Sequence, residues 1–184
     1  MSARAFIAVL AALAIVGLLG FGLLAKGEAS VEVGSPAPDA ELPTLDGEGT
    51  GRISDYRGDW VLVNFWASWC DPCRRESPAL ERYWRRHRGD GLVVLGIDSR
   101  DLSGDALDFV EEFGLTYPQL RDGDGERSEA FGMLGFPESF LVDPEGNLAL
   151  IRRGPVDTAF LERYVTPLVE GTSTTGQGEG GSDG

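Results

Sequence analysis

The sequence predicts an α/β domain with a central β-sheet flanked by helices, preceded by one transmembrane helix. Two short, nearly continuous apolar runs, Trp60–Trp66 and Leu92–Ile97, are typical of strands that are buried on both faces of a sheet. Each run is followed by a segment with apolar residues at helical spacing, Asp71–His87 and then Asp105–Phe113. This β-α-β-α alternation indicates an α/β sheet, and the charge-free segment Phe6–Ala25 supplies the transmembrane helix.

The amino-terminal segment predicts a membrane anchor. Its 20 uncharged residues, 6–25, would form a helix of about 30 Å, which is enough to cross a bilayer core. Arg4 precedes the segment and acidic residues follow it, so the positive-inside bias places the rest of the chain on the extracytoplasmic side of the cell membrane. A cleaved signal peptide is the alternative, but such peptides have shorter apolar cores of about 7 to 15 residues and a small-x-small cleavage site. We therefore expect a single-pass protein, periplasmic or outer in its catalytic part.

The rest of the chain divides by composition. The Pro- and Gly-punctuated stretch before the domain is typical of an extended linker, and the Gly- and Ser-rich end cannot bury enough apolar surface to become ordered. The expected organisation is a cytoplasmic amino terminus at 1–5, a signal-anchor at 6–25, a linker at 26–38, a domain at 39–171 and a disordered tail at 172–184.

Further elements are expected after the two α/β units. They are a short strand at Tyr117–Leu120, a helical turn at Ser128–Leu134, strands at Ser139–Val142 and Leu148–Arg152, and a closing helix at Phe160–Val169. The sequence Asp-Pro-Glu-Gly-Asn at 143–147 stands between the last two strands and is a strong hairpin signal.

Charge and composition exclude several classes of protein. The net charge is −14, and the only dense group of arginines, 82–88, alternates with aromatic residues as on the solvated side of a helix. Nucleic-acid binding rests on basic surface, so no nucleic-acid partner is expected. Two cysteines and one histidine, His87, are too few for a structural zinc site. His87 is separated from the cysteines by most of a helix and receives no role.

The two cysteines carry the chemistry. Cys70 falls where a buried strand turns into a helix, and unpaired N–H groups at a helix amino terminus favour a thiolate. Cys70 is therefore expected to be the exposed attacking sulfur, and Cys73, one turn further in, to resolve the mixed disulfide. A purely structural disulfide is the alternative, but a loop closed over so few residues adds little stability. Pro72 is compatible with the first helical turn.

The residues around the cysteines resemble a known family. The segment Val63–Cys73, which reads VNFWASWCDPC, resembles the active-site segment of extracytoplasmic thioredoxin-like proteins of the TlpA, ResA and CcmG (DsbE) type. Gly135–Asp143 resembles the family's cis-proline loop with the strand after it, and the resemblance spans about Gly34 to Val169. It implies a thioredoxin-like fold with a central mixed β-sheet flanked by helices.

The same resemblance implies a set of partners and substrate contacts. Pro137 would be cis and face the cysteines, and backbone groups of Phe136 would pair with a substrate peptide. The activity implied is thiol:disulfide oxidoreduction with no cofactor beyond a redox-active Cys70–Cys73 disulfide. Exported thiol proteins such as apocytochrome c, at the Cys-x-x-Cys-His that receives haem, would be substrates in cytochrome c maturation. A DsbD- or CcdA-like membrane protein would donate the electrons.

Glu76 matches the family's active-site glutamate. It lies three residues beyond Cys73, on nearly the same helix face, and we expect it to manage the proton that Cys73 loses before attacking the mixed disulfide. The alternative is a surface acid paired with a neighbouring arginine. Cytoplasmic-type thioredoxins carry a buried acid where this chain has Asn64, so proton transfer must be arranged differently here.

Charges beside the cysteines predict the direction of the reaction. Asp71 and Glu76 place negative charge near both sulfurs and disfavour the thiolates, while Arg74 and Arg75 partly offset them. Asp71 and Pro72, between the two cysteines, are the expected redox-tuning residues. When the dithiol form of the enzyme is not stabilised, it gives up its electrons readily. We therefore expect this protein to be a reductant rather than an oxidant.

Large apolar residues surround the motif. Trp66, Trp69 and Phe136 could all belong to the core, but Trp69, directly before Cys70, is the best candidate for an exposed substrate platform. With Phe136 and Pro137 it forms the predicted substrate-binding set.

Three other functions are open to a chain of this type. A copper metallochaperone or copper-site reductant would need wider cysteine spacing and a distal histidine, both absent here. A peroxidase would need a Pro-x-x-x-Thr/Ser-x-x-Cys frame, which the residues before Cys70 do not supply. A general disulfide reductase of the same fold is the third.

Overall fold

The computed structural model describes residues 31–173. The predicted transmembrane segment at 6–25 and most of the predicted tail, residues 174–184, lie outside this range. Within residues 31–173, no helix combines the length and the apolarity that a bilayer crossing requires.

The core of the domain is a five-stranded mixed sheet in the order β5-β4-β3-β6-β7. The first three strands in that order run parallel to one another, whereas β6 is antiparallel to both β3 and β7. A separate antiparallel pair, β1 and β2, precedes the sheet in the chain. The strands are β1 (Leu42–Pro43), β2 (Thr50–Gly51), β3 (Trp60–Trp66), β4 (Leu92–Ser99), β5 (Gln119–Asp122), β6 (Glu138–Val142) and β7 (Leu148–Arg153).

Helices cover the sheet. They are a short 3-10 helix (Ile53–Tyr56), α1 (Asp71–His87), α2 (Ser103–Phe113), α3 (Glu126–Ala130) and a closing helix α4, which runs through Thr158–Phe160, a π-helical turn at Leu161–Val165, and Thr166–Ser173. The predicted α/β sheet with flanking helices is therefore confirmed for the described residues. The arginines of the 82–88 group are exposed on α1, as predicted.

Strand β3 shows why its sequence is apolar at every position except Asn64. Trp60, Leu62 and Trp66 belong to a cluster on one side of the sheet, together with the cysteines and residues of α1, α2 and α4. Val61, Val63 and Phe65 belong to the cluster on the other side. Side chains alternate between the faces of a strand, so a strand covered on both faces is apolar except where a buried polar group such as Asn64 is hydrogen-bonded. The central strand thus carries the two halves of the core and ends at the cysteines.

Several element boundaries differ from prediction by a few residues, and at two of them backbone chemistry gives the reason. The strand predicted from Tyr117 begins two residues later, at Gln119, because Pro118 has no N–H to donate to the sheet. Tyr117 is instead buried in the core. The helical turn predicted from Ser128 begins at Glu126, where the Asp122 carboxylate accepts hydrogen bonds from the N–H groups of the first turn.

The closing helix is longer than predicted at both ends. It begins at Thr158, where the Asp157 side chain caps it by accepting the N–H of Phe160 at 2.7 Å. It ends at Ser173, two residues inside the segment predicted to be tail. Apolar spacing locates the buried face of a helix, whereas the polar capping residue decides where the helix begins.

Candidate active site

The two cysteines lie at the junction of β3 and α1. Cys70 is the N-cap of α1, and its sulfur accepts a hydrogen bond from the N–H of Cys73 at 3.2 Å. The two residues form a disulfide with their Cα atoms 5.3 Å apart. A sulfur in this position receives the N–H groups and the positive end of the helix dipole, which favour a thiolate there after reduction.

Cys70 is less exposed than predicted. It is 4% exposed and Cys73 is 1% exposed, so both are buried in this oxidised state. The disulfide ties the Cys70 sulfur to that of the more deeply buried residue, inside the apolar cluster that also contains Trp66. Cys70 is still the more exposed of the two cysteines. A substrate can therefore reach its sulfur only at the edge of this apolar cluster.

Glu76 is buried rather than on the surface, which excludes the alternative of a surface acid paired with arginine. Its residue exposure is 3%, and both carboxylate oxygens accept hydrogen bonds. Oε1 accepts from the Asn64 amide at 2.9 Å, and Oε2 accepts from the N–H of Val156 at 2.7 Å. The buried acid of this site is therefore located on α1, and the side-chain amide of Asn64 on the central strand donates a hydrogen bond to it.

The environment of Glu76 suits proton exchange near neutral pH. Burial raises the pKa of its carboxyl to about 7, while the hydrogen bonds from Val156 and Asn64 and the more distant Arg152 pull the pKa down. A carboxyl whose pKa lies near the working pH is populated in both protonation states, which is what a proton acceptor and donor requires.

The loop before β6 lies beside the cysteine cluster. The Phe136–Pro137 peptide bond is cis, and Phe136 packs against the apolar clusters on both sides of the sheet. Among the described residues, neither the N–H nor the carbonyl of Phe136 forms a hydrogen bond. Glu138 fixes the loop, because its carboxylate accepts the N–H of Leu134 at 2.9 Å and pairs with Arg153 at 2.7 Å.

Of the tryptophans near the motif, Trp66 is core and Trp69 is exposed. Trp66 is 2% exposed and stacks on Phe109 with ring centroids 4.5 Å apart. Trp69 is 59% exposed and meets Phe136 edge-to-face at 5.5 Å. The structure thus brings together Trp69 and the cis-proline loop, two of the predicted substrate contacts, at the surface beside Cys70.

The charges next to the cysteines differ partly from expectation. Asp71 is exposed in the first turn of α1, and Pro72 is half-buried beside it. Arg74 was expected to offset the acidic residues, but its guanidinium pairs with Glu112 at 2.5 Å and lies over the ring of Phe113. Its charge is therefore directed to α2, and the site is more acidic than the sequence alone suggests.

A second buried carboxyl was missed by the sequence analysis. Asp98, at the carboxyl end of β4, is fully buried opposite Trp66 of β3 and pairs with Arg121 at 2.7 Å. Its carboxyl also faces that of Asp101, and burial followed by this neighbouring charge raises the pKa of Asp98 to about 7. The sequence of β4 could have indicated this residue, because Asp98 is a charged residue at the carboxyl end of an otherwise apolar strand. Functional groups of α/β proteins commonly lie at the carboxyl ends of parallel strands.

The remaining candidates lie apart from the cysteines. His87, near the far end of α1, packs on Tyr83 at 4.4 Å. Across residues 31–173, no three His, Cys, Asp or Glu side chains are grouped so as to hold a metal ion.

A reactive cysteine pair at a helix amino terminus, a cis-proline beside it and a mixed sheet behind it define a thioredoxin-like thiol-disulfide oxidoreductase. Comparison with known proteins agrees. The model of the AhpC/TSA family matches residues 33–151. The chain belongs to this family and, within it, to the thioredoxin-like proteins of the ResA and DsbE type.

Individual relatives match this chain over most of their length. The chain is 34% identical over 139 residues to the thiol-disulfide oxidoreductase ResA of Geobacillus kaustophilus, covering 76% of this chain and 79% of that protein. It is 35% identical over 161 residues to the thiol:disulfide interchange protein DsbE of Allochromatium vinosum, covering 85% and 87%. A solved thiol:disulfide interchange protein of Chlorobium tepidum matches with a TM-score of 0.67 at 27% identity, covering 77% and 99%.

Proposed function

We propose that this oxidoreductase is a membrane-anchored reductant of disulfides in exported proteins, with the haem-attachment Cys-x-x-Cys-His of apocytochrome c as its substrate class. The observation that carries the direction of the reaction is the buried Glu76 carboxyl, three residues beyond Cys73 on the same helix. The resemblance to ResA and DsbE proteins suggests the substrate.

The electrostatics favour the disulfide form of the enzyme. A carboxylate near Cys73 disfavours a second negative charge there, and Arg74, which follows Cys73 in the chain, is engaged with Glu112. When the reduced thiolate form is not stabilised, the dithiol gives up its electrons readily, as in thioredoxin rather than DsbA.

The reaction proceeds in two exchanges. The Cys70 thiolate attacks one sulfur of the substrate disulfide, which forms a mixed disulfide and releases the other substrate sulfur as a thiolate that takes up a proton. Cys73 then loses its proton to the Glu76 carboxylate and attacks the Cys70 sulfur, which releases the second substrate thiol. Two electrons pass to the substrate, and the enzyme ends as the Cys70–Cys73 disulfide.

The substrate chain lies across Trp69 and the cis-proline loop. The N–H and carbonyl of Phe136, which form no hydrogen bonds among the described residues, are available to pair with an extended peptide. The exposed indole of Trp69 supplies an apolar contact directly beside Cys70. Asp71 and Pro72 lie in the first turn, where they affect the stability of the thiolates.

Regeneration requires a dithiol donor, because the enzyme leaves each cycle oxidised. A DsbD- or CcdA-like membrane protein fits this requirement, with the domain held on the extracytoplasmic side by the segment at 6–25. Of the predicted linker at 26–38, residues 34–37 are hydrogen-bonded to the hairpin between β6 and β7 and so belong to the domain.

Trapping the covalent intermediate tests the substrate. Cys73→Ala in the full-length chain leaves Cys70 joined to whatever it attacks, and we expect apocytochrome c among the partners identified by mass spectrometry. Cys70→Ala is the matched control and should trap nothing. Recovery of exported proteins without any apocytochrome would replace the proposed substrate by a general disulfide reductase.

The redox potential tests the direction. Equilibration with glutathione should leave the Cys70–Cys73 pair predominantly oxidised under conditions in which DsbA is reduced. A potential close to that of DsbA, about −120 mV, would contradict the assignment as a reductant.

A further inference from the structure

The short segment before Cys70 is held by a carboxylate from a different part of the chain. Asp101 follows β4 and is 9% exposed. Its Oδ2 accepts the N–H of Ser68 at 2.5 Å, and its Oδ1 accepts the Ser68 hydroxyl at 3.0 Å and the N–H of Leu102 at 2.8 Å. Three donors thus converge on one carboxylate, and two of them belong to the residue just before Trp69.

The turn that carries Asp101 is itself fixed. The carbonyl of Asp101 accepts from Arg121 at 2.7 Å, and the same guanidinium pairs with Asp98 behind it. Arg100 has a φ of 56°, the left-handed region that only glycine adopts without cost, and its N–H donates to the carbonyl of Asp122 at 3.2 Å. A non-glycine residue in this region persists where surrounding contacts fix it, and such residues concentrate at functional sites.

The same turn also contacts Trp69 directly. The indole Nε1 donates to the carbonyl of Arg100 at 3.3 Å, and the ring lies edge-to-face on Phe136. The backbone just before Trp69 and the end of its side chain are therefore both attached to residues 100–101. An exposed side chain normally samples several rotamers, and this arrangement restricts Trp69 to one.

We propose that Asp101 is a positioning residue for substrate binding, which holds Ser68 so that the Trp69 indole is preset against the cis-proline loop. Preorganising a contact group improves binding because the cost of ordering it is met before the substrate arrives. The inference rests on the proposed role of Trp69 as a substrate contact. Asp101 acts only through Ser68 and Trp69 and has no part in the sulfur chemistry.

A double-mutant cycle tests the proposal in the full-length chain. Steady-state reduction is measured with an oxidised Cys-x-x-Cys-His peptide, with insulin, and with hydroxyethyl disulfide, which is too small to reach Trp69. Asp101→Asn keeps the size of the side chain but loses one of the two acceptor oxygens. We expect it to raise KM for the peptide and for insulin about ten-fold, with kcat changed by less than about two-fold.

The second half of the cycle distinguishes a positioning role of Asp101 from a general loss of structure in the variant. In a Trp69→Ala background, Asp101→Asn should raise KM no further, and in neither background should Asp101→Asn change the reduction of hydroxyethyl disulfide. Ser68→Ala removes one of the three hydrogen bonds and should give a smaller rise of about three-fold, which keeps the test available if Asp101→Asn folds poorly. Asp105→Asn, an equal loss of charge at an exposed position of α2, is the control and should have no effect.

The outcomes are distinct. Equal effects of Asp101→Asn in both backgrounds, an equal effect on hydroxyethyl disulfide, or no effect at all would each overturn the positioning role. If the wild-type chain reduces insulin but not the Cys-x-x-Cys-His peptide, the proposed substrate is wrong, and the cycle measured on insulin still decides the role of Asp101.

Discussion

Two buried carboxyls flank the active site, and their surroundings differ in kind. Glu76, behind Cys73, receives only neutral donors, the Asn64 amide and the N–H of Val156, one on each oxygen. Asp98, below the segment before Cys70, receives the charged Arg121 on one oxygen, while its other oxygen has no donor among the described residues and the carboxyl faces Asp101. Burial raises the pKa of both to about 7.

The comparison shows that burial raises the pKa of both carboxyls to a similar value, although the groups that contact them differ. Glu76 has an N–H for each oxygen, so its carboxylate is accommodated without a cation and can take up and return a proton. Asp98 lacks a donor on one oxygen and faces another acid there, an arrangement that suits a protonated carboxyl donating to Asp101. Glu76 is thus suited to exchange protons during turnover, whereas the neighbouring charge of Asp101 favours the protonated form of Asp98.

The largest expected effect of these two sites is on the stability of the protein against pH. A carboxyl whose pKa is higher in the folded than in the unfolded chain binds more protons when folded, so its contribution is present below about pH 4.5 and is lost as pH rises to about 7. Glu76 should therefore lower the free energy of unfolding by on the order of 3 kcal/mol across this window.

Urea unfolding of the oxidised protein between pH 5 and pH 8 measures this effect. Glu76→Gln should flatten the pH dependence by most of that amount, and Asp98→Asn should flatten it separately. Identical pH profiles for the wild type and Glu76→Gln would show that Glu76 does not titrate in this window.

The second prediction separates the sites by activity. Glu76→Gln should slow the attack of Cys73 on a preformed mixed disulfide about a hundred-fold near pH 7, because the proton of Cys73 loses its acceptor. Stopped-flow release of a labelled peptide from Cys70 measures this step. Glu81→Gln is the matched control, since Glu81 is also buried on α1 but accepts hydrogen bonds from Thr116, and resolution should be unchanged. Equal slowing in both variants would assign the effect to packing.

The smallest prediction concerns the donor to Glu76. Asn64→Val removes the amide that stabilises the carboxylate and should move the pH midpoint of the resolution step upward by about one pH unit. Ser139→Ala serves as the control, because Ser139 contacts Asn64 at 3.1 Å without touching Glu76 and should leave the midpoint nearly in place. If the pH midpoint is the same in Asn64→Val and in the wild type, a group other than Asn64 sets the pKa of Glu76.

Much of the fold and the cysteine pair could be predicted from the sequence, because both depend on local patterns. The apolar run of β3 and the helical spacing of α1 each reflect a repeating requirement of burial, and the cysteines lie at their junction. The hairpin was predictable from turn chemistry at 143–147, and the strands on either side of it are paired.

Contacts between distant residues could not be predicted in the same way. The hydrogen bond from Val156 to Glu76 joins residues 80 positions apart, and the hydrogen bonds from Ser68 to Asp101 join residues 33 positions apart. No periodicity encodes such pairs, since they depend on how the chain is folded in three dimensions. Arg74 was misjudged for the same reason, because its partner Glu112 lies on a different helix.

The hydrogen bond from Val156 to Glu76 has a consequence for how the two faces of the active site communicate. Two residues before Val156, the N–H of Gly154 donates to the carbonyl of Pro137 at 3.0 Å. A stretch of three residues therefore joins the carboxyl behind the inner sulfur to the loop beneath the bound peptide. We therefore expect a change in the charge of Glu76 to be felt at the cis-proline loop through these two hydrogen bonds, which would couple loss of the Cys73 proton to release of the reduced substrate.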